Sequence, residues 1–405
     1  MASTDSTEES QHARVRETLQ YARAHVPYYR DNGGSPADLS SWPVLDKATV
    51  AASPRSFQSE ETRRERLLHF QSRGTTGTPL TVICDPQAYQ TEMAFRWRHR
   101  AWAGIAFGSR AAYVAGHQVI PAGRRRPPFW VFDRCENRML FSSYHIGELT
   151  LPHYLRALER FNPDLLHGYP SSLFLLANAA LRTKSFIRPR AIITASETLL
   201  EHQRAAIERA FGTKVYNWYG QTELTCNIVE CREGRLHTRP DYGVLEVLSD
   251  GTMVATGLNN MAMPLIRYRT GDRARLGEGC CSCGCRFPLV EAIEGRSEDY
   301  IVTPEGFAVG RLDHIFKGVR GVLEAQVVQP NLNTIVLRIV RGEEYARGAE
   351  EHIRSEARGR LGELMSIRFE YVPVIERAPG GKFRFIVSHL AGSSGRERVV
   401  GALEE

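Results

Sequence analysis

The feature that most constrains the fold is an alternation of short apolar segments with helical patterns. Apolar segments bounded by turn residues are typical of buried strands, and they occupy positions 111–115, 191–194, 214–217 and 245–248. Apolar residues recur at helical spacing in segments 154–161, 173–181 and 201–211. Strands that alternate with helices in this way predict an α/β fold with layered sheets.

The length of the chain predicts more than one domain. A chain of 405 residues exceeds the size at which a single hydrophobic core usually stops growing. After Gly295 the apolar segments predict a compact α+β unit of normal domain size. We therefore expect a large N-terminal multi-sheet α/β domain at 1–294 and a small C-terminal α+β domain at 295–405. Residues 11–30 predict a surface helix that ends at Pro27.

Composition restricts the location of the protein and its partners. The net charge of +6 suits anionic ligands such as nucleotides and does not require nucleic acid. No apolar run reaches the 18 residues that would span a bilayer, so we expect no membrane association. The first ten residues are polar and lack the apolar core of a signal peptide, which predicts a cytoplasmic location. The oligomeric state stays open between a monomer and a homodimer.

A segment rich in glycine and threonine at 72–80 (SRGTTGTPL) is a candidate phosphate-binding loop. Its two glycines let backbone N–H groups converge on anionic oxygens, and its four hydroxyl side chains add neutral donors. Segments of this composition also form plain turns between strands. The segment is evidence for phosphate binding only in combination with the motifs that follow it.

Four further motifs follow in a fixed order: 217–223 (NWYGQTE), 268–272 (YRTGD), 295–299 (GRSED) and 381–384 (GKFR). With these five motifs the chain resembles the adenylate-forming (acyl-activating) superfamily. Within that superfamily it is similar to the phenylacetate–coenzyme A ligase branch and its relatives from capsule and natural-product loci. Segments 21–30, 42–47 and 167–172 also resemble that branch, so the resemblance covers nearly the whole chain.

The resemblance implies a reaction in which a carboxylate attacks the α-phosphorus of ATP and expels pyrophosphate. Such a site needs donors and positive charge where negative charge accumulates. The large domain would bind nucleotide and acid, and the small domain would be a mobile lid with its hinge at Glu298. The residues implied in nucleotide binding are Ser72, Gly74, Thr75, Thr76, Gly77, Ser196, Glu197, Trp218, Tyr219, Gly220, Asp272 and Arg296.

Three residues are implied in the chemistry itself. Lys382 would bridge the attacking carboxylate and the α-phosphate, where charge develops as bonds exchange. Thr222 would donate to the α-phosphate, and Glu223 would bind Mg²⁺, a cation that usually takes one or two carboxylates plus phosphate oxygens. Two positions depart from the family pattern. Leu80 replaces a lysine that ends the phosphate loop in many relatives, and Glu298 stands where aspartate is usual.

Several of these residues also have plainer interpretations. Tyr219 offers a flat face to adenine, with residues 195–197 on the other side of the ring, but 219–223 can equally be a strand ending in a polar turn. Asp272 suits both ribose hydroxyls because a carboxylate only accepts hydrogen bonds, yet it can also cap the turn after Gly271. Lys382 alone would be an ordinary exposed lysine.

Cysteine clusters predict a metal site beside the active site. Eight cysteines in a chain predicted to be cytoplasmic argue against a disulfide framework. Four cysteines crowd into 280–285 (CCSCGC), and a Cys-x₅-His pair lies at 231–237. Both clusters flank the strands that lead to Asp272, so a hairpin-like return can bring them together. The Cys-x-Cys-Gly pair also resembles one in the capsule-type relatives.

We predict a structural Zn²⁺ with tetrahedral coordination in an insertion around 231–285 of the large domain. The predicted ligands are Cys231, His237, Cys281 and Cys283, with Cys280 and Cys285 in reserve. The alternative is a set of free thiols without metal.

The acid-binding residues are the least constrained part of the sequence. Segments 141–145 and 167–170 follow predicted strands, and their aromatic residues suit an aryl or heteroaryl acid. Tyr144, His145 and Tyr169, together with Gly220, are the predicted contacts. These aromatic residues can also be packed core residues with satisfied polar tips.

Three hypotheses for function follow. The first is an ATP- and Mg²⁺-dependent enzyme that forms an acyl-adenylate from an aromatic acid and passes the acyl group to coenzyme A. The second keeps the adenylation but transfers the acyl group to an amine, a hydroxyl or a carrier-protein thiol in biosynthesis. The third is a catalytically silent nucleotide-binding protein, which Leu80 and Glu298 favour and which Glu223, Asp272 and Lys382 weigh against.

Overall fold

The computed structural model describes residues 4–62, 66–72, 80–116, 119–121, 124–147, 149–296, 301–304, 308–309, 312–316, 319–346, 348–377 and 383–390. The α-helices within these residues are α1 (Thr4–His25), α2 (Pro27–Asn32), α3 (Lys47–Ala52), α4 (Pro86–Trp102), α5 (Leu151–Phe161), α6 (Pro170–Thr183), α7 (Glu201–Phe211) and α8 (Ala349–Leu361). No helix in this part of the chain combines the length and the apolarity that a membrane crossing needs.

Most strands belong to the first three quarters of the chain. They are β1 (Leu68–Gln71), β2 (Thr81–Cys84), β3 (Ala111–Ala115), β4 (Trp130–Asp133), β5 (Arg138–Ser142), β6 (Leu165–Gly168), β7 (Ala191–Ala195), β8 (Val215–Tyr219), β9 (Ile228–Glu230), β10 (Leu236–Thr238), β11 (Gly243–Val247), β12 (Thr252–Gly257), β13 (Tyr268–Gly277) and β14 (Leu289–Arg296). The C-terminal strands are β15 (Ile301–Val302), β16 (Ala308–Val309), β17 (Val322–Asn331), β18 (Thr334–Arg341), β19 (Ser366–Tyr371) and β20 (Ile386–Ser388).

One large mixed sheet organises the N-terminal part. Its spatial order is β11-β12-β13-β14-β10-β9-β8-β7-β6-β3-β5-β4. The neighbours β8, β7, β6, β3 and β5 run parallel, whereas β4 and the strands from β9 onward pair antiparallel. This architecture confirms the predicted α/β class.

Both faces of the parallel strands are covered, which explains their near-continuous apolar sequences. On one face Ile192 packs with residues from α5, α6 and α7 in the same core cluster. On the other face Ile193, its neighbour along the strand, packs with Trp97 and Trp102 of α4. Alternate residues of one strand therefore serve two layers, as the period of two in a strand requires.

The N-terminal helix forms where the apolar spacing predicts it. Leu19 and Val26 are fully buried in a cluster that also contains Leu80 and, from β2, Val82. Pro27 ends α1 and begins α2, because its ring cannot continue a helix but suits a first helical position.

The C-terminal part builds its own core. Strands β19, β18, β17 and β20 form a four-stranded sheet, and α8 packs on it through Ile353 and Leu361. β15 and β16 form a two-stranded sheet, and residues 312–316 form a 3₁₀ helix against the same core. The architecture is thus a large N-terminal unit and a smaller C-terminal α+β unit, while the boundary at 294/295 stays a prediction.

Candidate active site

The predicted acid and nucleotide contacts follow the carboxyl ends of four parallel strands. β5 leads to Tyr144 and His145, β6 to Tyr169, β7 to residues 196–197, and β8 ends at Tyr219. Since these strands lie side by side in parallel through β3, their carboxyl ends share one edge of the sheet. Ligands of open α/β sheets bind at such edges. The fold therefore brings the two sets of predicted residues to one place.

Hydrogen bonds join two of the predicted motifs, and strand pairing places a third motif beside them. The hydroxyl of Tyr219 donates to Oδ2 of Asp272 at 2.7 Å. Asp272 lies on β13, directly opposite Arg296 on β14. From the same β13, the hydroxyl of Tyr268 donates to Oε1 of Glu223 at 3.3 Å. The structure thus brings together the tyrosine ring and the two carboxylates that are predicted to bind adenine, ribose and Mg²⁺, and those roles stay predictions.

The protonation state of Tyr219 fixes the direction of its hydrogen bond. Burial, and then the negative charge of Asp272, raise the pKa of Tyr219 well above its ordinary value. Tyr219 therefore stays protonated and donates, and Asp272 accepts. A carboxylate has about four acceptor positions, so Asp272 can still accept hydrogen bonds from a ligand hydroxyl.

The turn after β8 leaves no room for a side chain at Gly220. A Cβ atom added there would lie 2.7 Å from Nε1 of Trp218 and 2.9 Å from Oδ1 of Asn227. Trp218 is itself buried in the core under the sheet. Two residues in the loops of this edge adopt the left-handed region, Leu224 with φ of 56° and Ser196 with φ of 72°. Strained backbone of this kind concentrates at functional sites.

Ser72 and Leu80, the two described residues of the glycine- and threonine-rich segment, are joined by two hydrogen bonds. The N–H of Ser72 donates to the carbonyl of Leu80 at 2.7 Å, and the N–H of Leu80 donates to Oγ of Ser72 at 3.1 Å. The Leu80 side chain is fully buried in the core. Position 80 therefore contributes packing rather than a positive charge.

Three aromatic residues predicted to contact the acid follow the strand ends, and two of them are packed against their neighbours or buried. The Nδ1 atom of His145 lies 2.8 Å from Oγ of Ser142, and its ring stacks on Phe129 with centroids 5.6 Å apart. The Tyr144 hydroxyl donates weakly to the carbonyl of Gly116 at 3.4 Å. Tyr169 is buried. The packed-aromatic interpretation therefore describes His145 and Tyr169, while Tyr144 is the most exposed of the three.

Strand pairing assembles the four predicted metal ligands. His237 lies on β10, which pairs with β9 on one side and β14 on the other. The ligand atoms of His237, Cys231, Cys281 and Cys283 all lie within 4.8 Å of one another. Cys280 is exposed and outside this group.

The distances within this cysteine–histidine cluster suit a zinc ion. The sulfurs of Cys231 and Cys281 are 3.7 Å apart, and the sulfur of Cys283 lies 3.5 Å from Nε2 of His237. With Zn–S bonds of about 2.3 Å, tetrahedral geometry separates two sulfurs by about 3.8 Å. Nδ1 of His237 lies 3.0 Å from the carbonyl of Phe287, which orients the ring and leaves Nε2 for a metal. Burial lowers the pKa of His237, which favours the neutral imidazole that ligates metals.

Solved structures establish the fold. A 2-hydroxyisobutyryl-CoA ligase in the postadenylation state, in complex with R3-HIB-AMP, aligns with a TM-score of 0.73 at 19% identity, covering 98% of this chain and 91% of that chain. The same ligase in complex with 2-HIB-AMP and CoA, in the thioesterification state, aligns with a TM-score of 0.58 at 18% identity, covering 99% and 93%.

Sequence comparisons support the family resemblance. A family model of the CapK C-terminal domain matches residues 301–389. Protein CapK of Staphylococcus aureus is 25% identical over 366 residues, which cover 87% of this chain and 81% of CapK. A phenylacetate-coenzyme A ligase of Thermus thermophilus is 28% identical over 323 residues, which cover 72% of this chain and 71% of that enzyme. The chain resembles the adenylate-forming superfamily. It is similar to the phenylacetate-coenzyme A ligases of that superfamily.

Some predicted site residues lie outside the described residues, and their roles stay predictions. They are Gly74, Thr75, Thr76 and Gly77 of the phosphate loop, Glu298 at the hinge, and Lys382. Thr222 is described and half-buried in the turn between Tyr219 and Glu223. Its predicted contact with the α-phosphate also stays a prediction.

The sequence analysis missed a contact between the large unit and the C-terminal unit. Both carboxylate oxygens of Glu197 accept backbone hydrogen bonds, one from Ser171 at 3.1 Å and one from Phe383 at 2.7 Å. It also missed Arg377, which pairs with Glu324 and whose guanidinium lies 4.9 Å from the centroid of the Phe383 ring. No local signal could have found these contacts, because Glu197 and Phe383 are 186 positions apart.

Proposed function

We propose that this chain joins an aromatic carboxylic acid to coenzyme A in two steps. In the first step a carboxylate oxygen attacks the α-phosphorus of ATP, and the bond from that phosphorus to the pyrophosphate oxygen breaks. In the second step the thiol sulfur of coenzyme A attacks the acyl carbon, AMP leaves, and the thiol proton is released. The products are pyrophosphate, AMP and an acyl thioester.

The observation that carries the proposal is the hydrogen-bonded pair of Tyr219 and Asp272 beside Glu223. The 2.7 Å hydrogen bond fixes the Tyr219 ring relative to the Asp272 carboxylate. An adenine base on the ring and a ribose on the carboxylate would therefore be held in a fixed relative position. Glu223 is close enough to share a hydrogen bond with Tyr268 from the strand that carries Asp272. Holding a nucleotide in a fixed geometry is a large part of catalysing a reaction between two anions.

Three further groups would act on the phosphates and on the reacting oxygens. Mg²⁺, when bound to Glu223 and the phosphates, would offset negative charge on the triphosphate. Thr222 lies next to Glu223 in the chain and would donate to an α-phosphate oxygen. Lys382 would contact both reacting oxygens, where charge is largest in the transition state.

The choice of an aromatic acid rests on the side chains near the sheet edge. The rings of Tyr113 and His167 lie with centroids 4.9 Å apart on neighbouring strands, and Tyr144, the most exposed of the predicted aromatic contacts, follows the end of β5. The ring of an aromatic acid would pack favourably against these aromatic side chains. The name of the phenylacetate-coenzyme A ligases agrees with this choice, whereas the name of 2-hydroxyisobutyryl-CoA ligase favours an aliphatic acid.

The test is a pyrophosphate-release screen over aromatic, heteroaromatic and aliphatic acids, with and without coenzyme A, and mass spectrometry of the products. We expect pyrophosphate release with an aromatic acid and an acyl thioester when coenzyme A is present. An acyl-adenylate without any thioester would favour an amine, hydroxyl or carrier-protein acceptor. Activity with aliphatic acids alone would overturn the substrate class, and bound ATP without turnover would favour the silent nucleotide-binding protein.

Asp272→Asn should weaken ATP binding by roughly 10- to 100-fold, the usual effect of losing a hydrogen bond to a charged group. Isothermal titration with Mg²⁺ and ATP measures the effect. Tyr219→Phe is the matched variant, because it keeps the ring and removes only the hydroxyl that pairs with Asp272, so its effect should be smaller. If Asp272 merely caps a turn, Asp272→Asn will lower the melting temperature and leave ATP affinity unchanged.

Gly220→Ala should reduce acid-dependent pyrophosphate release by about tenfold or more, because the new methyl group forces Trp218 or Asn227 to move. Gly359→Ala is the matched control, since a Cβ there meets nothing within 4 Å and alanine favours the α8 helix. Equal activity in Gly220→Ala and Gly359→Ala would show that the turn after β8 does not position reactants.

We also propose that the cysteine–histidine cluster binds one structural Zn²⁺. Three thiolates and one imidazole form a closed tetrahedral set, which leaves no open position for a substrate. The ligands come from two loops and from β10, so a bound ion would fix β9, β10 and β14 relative to one another. β14 also carries Arg296 opposite Asp272, so a bound metal would constrain the strand that lies beside the proposed nucleotide site.

A further inference from the structure

We propose that Glu92 is a positioning residue for the turn after β8, residues 220–223, and that it acts through Asn227. This inference rests on the proposed function, in which Thr222 and Glu223 of that turn contact phosphate and Mg²⁺. Glu92 lies on α4, and Asn227 directly precedes β9. Both side chains are buried, with 3% of Glu92 and 2% of Asn227 exposed. Neither residue belongs to a motif that the sequence analysis singled out.

Glu92 accepts hydrogen bonds from three sides. Nε of Arg96, one helical turn further along α4, donates to Oε1 at 2.7 Å. Nδ2 of Asn227 lies 3.5 Å from Oε2. The hydroxyl of Tyr242 is the third donor, and burial, followed by the charge of Glu92, raises the pKa of Tyr242 well above its ordinary value, so the phenol stays protonated. A carboxylate only accepts hydrogen bonds, so it suits a place with three donors.

The carboxylate fixes the direction in which the Asn227 amide points. Because Glu92 only accepts, Asn227 turns its NH₂ group to Glu92 and its Oδ1 atom to the opposite side. The turn after β8 lies on that side, and Oδ1 is 2.9 Å from the position that a Cβ atom would take at Gly220. Nε1 of Trp218 is 2.7 Å from the same position. Gly220 is thus packed against Asn227 and Trp218, so a movement of the Asn227 amide displaces the turn.

The far end of the turn is held by a second neighbour of Glu92. Leu224 directly follows Glu223 and packs in one core cluster with Tyr242 and with Ala88 of α4. Its φ of 56° is a conformation that persists only where the surroundings enforce it. The contacts of Glu92 therefore reach both ends of the segment that carries Thr222 and Glu223, through Asn227 at one end and through Tyr242 at the other.

This buried network determines orientation more than stability. Burying a charge costs desolvation free energy, and apolar residues of similar volume often stabilise a fold at least as well. Hydrogen bonds are directional, however, and they are stronger in a poorly hydrated place. A glutamine at position 92 would have the same size, but its NH₂ group would face one of the three donors. Glu92→Gln therefore disturbs the orientation of the Asn227 amide with little change in volume.

The experiment measures how acid-dependent pyrophosphate release by Glu92→Gln depends on Mg²⁺. At a fixed ATP concentration, the free Mg²⁺ concentration that gives half the maximal rate should rise about tenfold, because Glu223 no longer meets the ion in the right geometry. A loss of stability alone would reduce the amount of active enzyme and leave this concentration unchanged.

Glu350→Gln is the matched control for this measurement. Glu350 pairs with Arg354 four positions further along α8, at 2.9 Å, and accepts a hydrogen bond from the hydroxyl of Tyr371 at 2.6 Å. It therefore has the same two kinds of partner as Glu92 but lies in the C-terminal unit, far along the chain from the turn after β8. Its Mg²⁺ requirement should match that of the wild type.

Asn227→Ala tests the route and keeps the inference testable if Glu92→Gln does not fold. It should raise the half-saturating Mg²⁺ concentration by a similar factor. The double variant should be no worse than the more affected single variant, because the two residues act in series. Factors that multiply in the double variant, or an unchanged Mg²⁺ requirement in Asn227→Ala, would overturn the inference.

A second readout needs no activity. The N–H of Leu224 donates to the carbonyl of Gln221 at 3.2 Å, so hydrogen–deuterium exchange of segment 220–224 reports on the turn. This exchange should be at least about tenfold faster in Glu92→Gln than in wild type and Glu350→Gln, while β9 stays unchanged. If the wild type turns over no acid but this difference appears, the proposed function fails and the positioning of the turn by Glu92 stands. Unchanged exchange, or faster exchange with an unchanged Mg²⁺ requirement in an active enzyme, would each overturn the inference.

Discussion

Lys382→Ala should reduce acid-dependent pyrophosphate release by about 10²–10³-fold while leaving ATP affinity nearly unchanged. The physical reason is that the ammonium group meets charge that is largest while the bonds to the α-phosphorus exchange, so it stabilises the transition state more than bound ATP. Rapid-quench measurement of pyrophosphate, beside calorimetric titration with ATP, separates the two quantities.

Lys47→Ala is the control for the loss of a lysine, because Lys47 lies on α3, outside the loops that follow the carboxyl ends of β5, β6, β7 and β8. Its rate and ATP affinity should match the wild type. If Lys382→Ala turns over acid as fast as Lys47→Ala does, Lys382 has no part in the mechanism.

Cys283→Ser should abolish stoichiometric zinc binding and lower the melting temperature by at least about 5 °C, because binding energy at a closed zinc site is folding energy. Cys283 supplies the sulfur 3.5 Å from Nε2 of His237, and a serine hydroxyl is a much poorer ligand for zinc. Elemental analysis of the purified protein gives the metal content, and calorimetry gives the melting temperature.

Cys280→Ser makes the matched comparison, since Cys280 is a neighbouring exposed thiol outside the cysteine–histidine cluster. It should retain one equivalent of zinc and the wild-type melting temperature. Retention of a full equivalent in Cys283→Ser, or loss of zinc in Cys280→Ser, would show that the ligand set is wrong. Absence of zinc from the wild type would favour free thiols.

Apolar spacing and turn residues predicted the bounds of a helix or strand correctly where a turn residue or a glycine ends the element. The strand at 111–115 and the helix at 201–211 have the predicted bounds, because turn residues or a helix-ending glycine stand directly beside them. The approach of His237 to Cys281 and Cys283 also followed from sequence, since a hairpin between β13 and β14 returns the chain to β10.

Contacts made across long sequence separations could not be predicted in this way. The pairing of Tyr219 with Asp272 depends on how far β8 and β13 extend in one large sheet, which no local pattern encodes. The burial of Leu80 depends on packing against α1 and residues 258–268. The contact of Glu197 with Phe383 depends on how the C-terminal unit meets the large one.

The most direct test of adenylation is the acid-dependent exchange of labelled pyrophosphate into ATP. This exchange requires reversible formation of an acyl-adenylate and does not depend on the identity of the final acceptor. The account predicts exchange that needs both the acid and Mg²⁺ and that falls to background in Lys382→Ala. A folded wild-type protein that binds ATP but shows no exchange with any aromatic or aliphatic acid would contradict it.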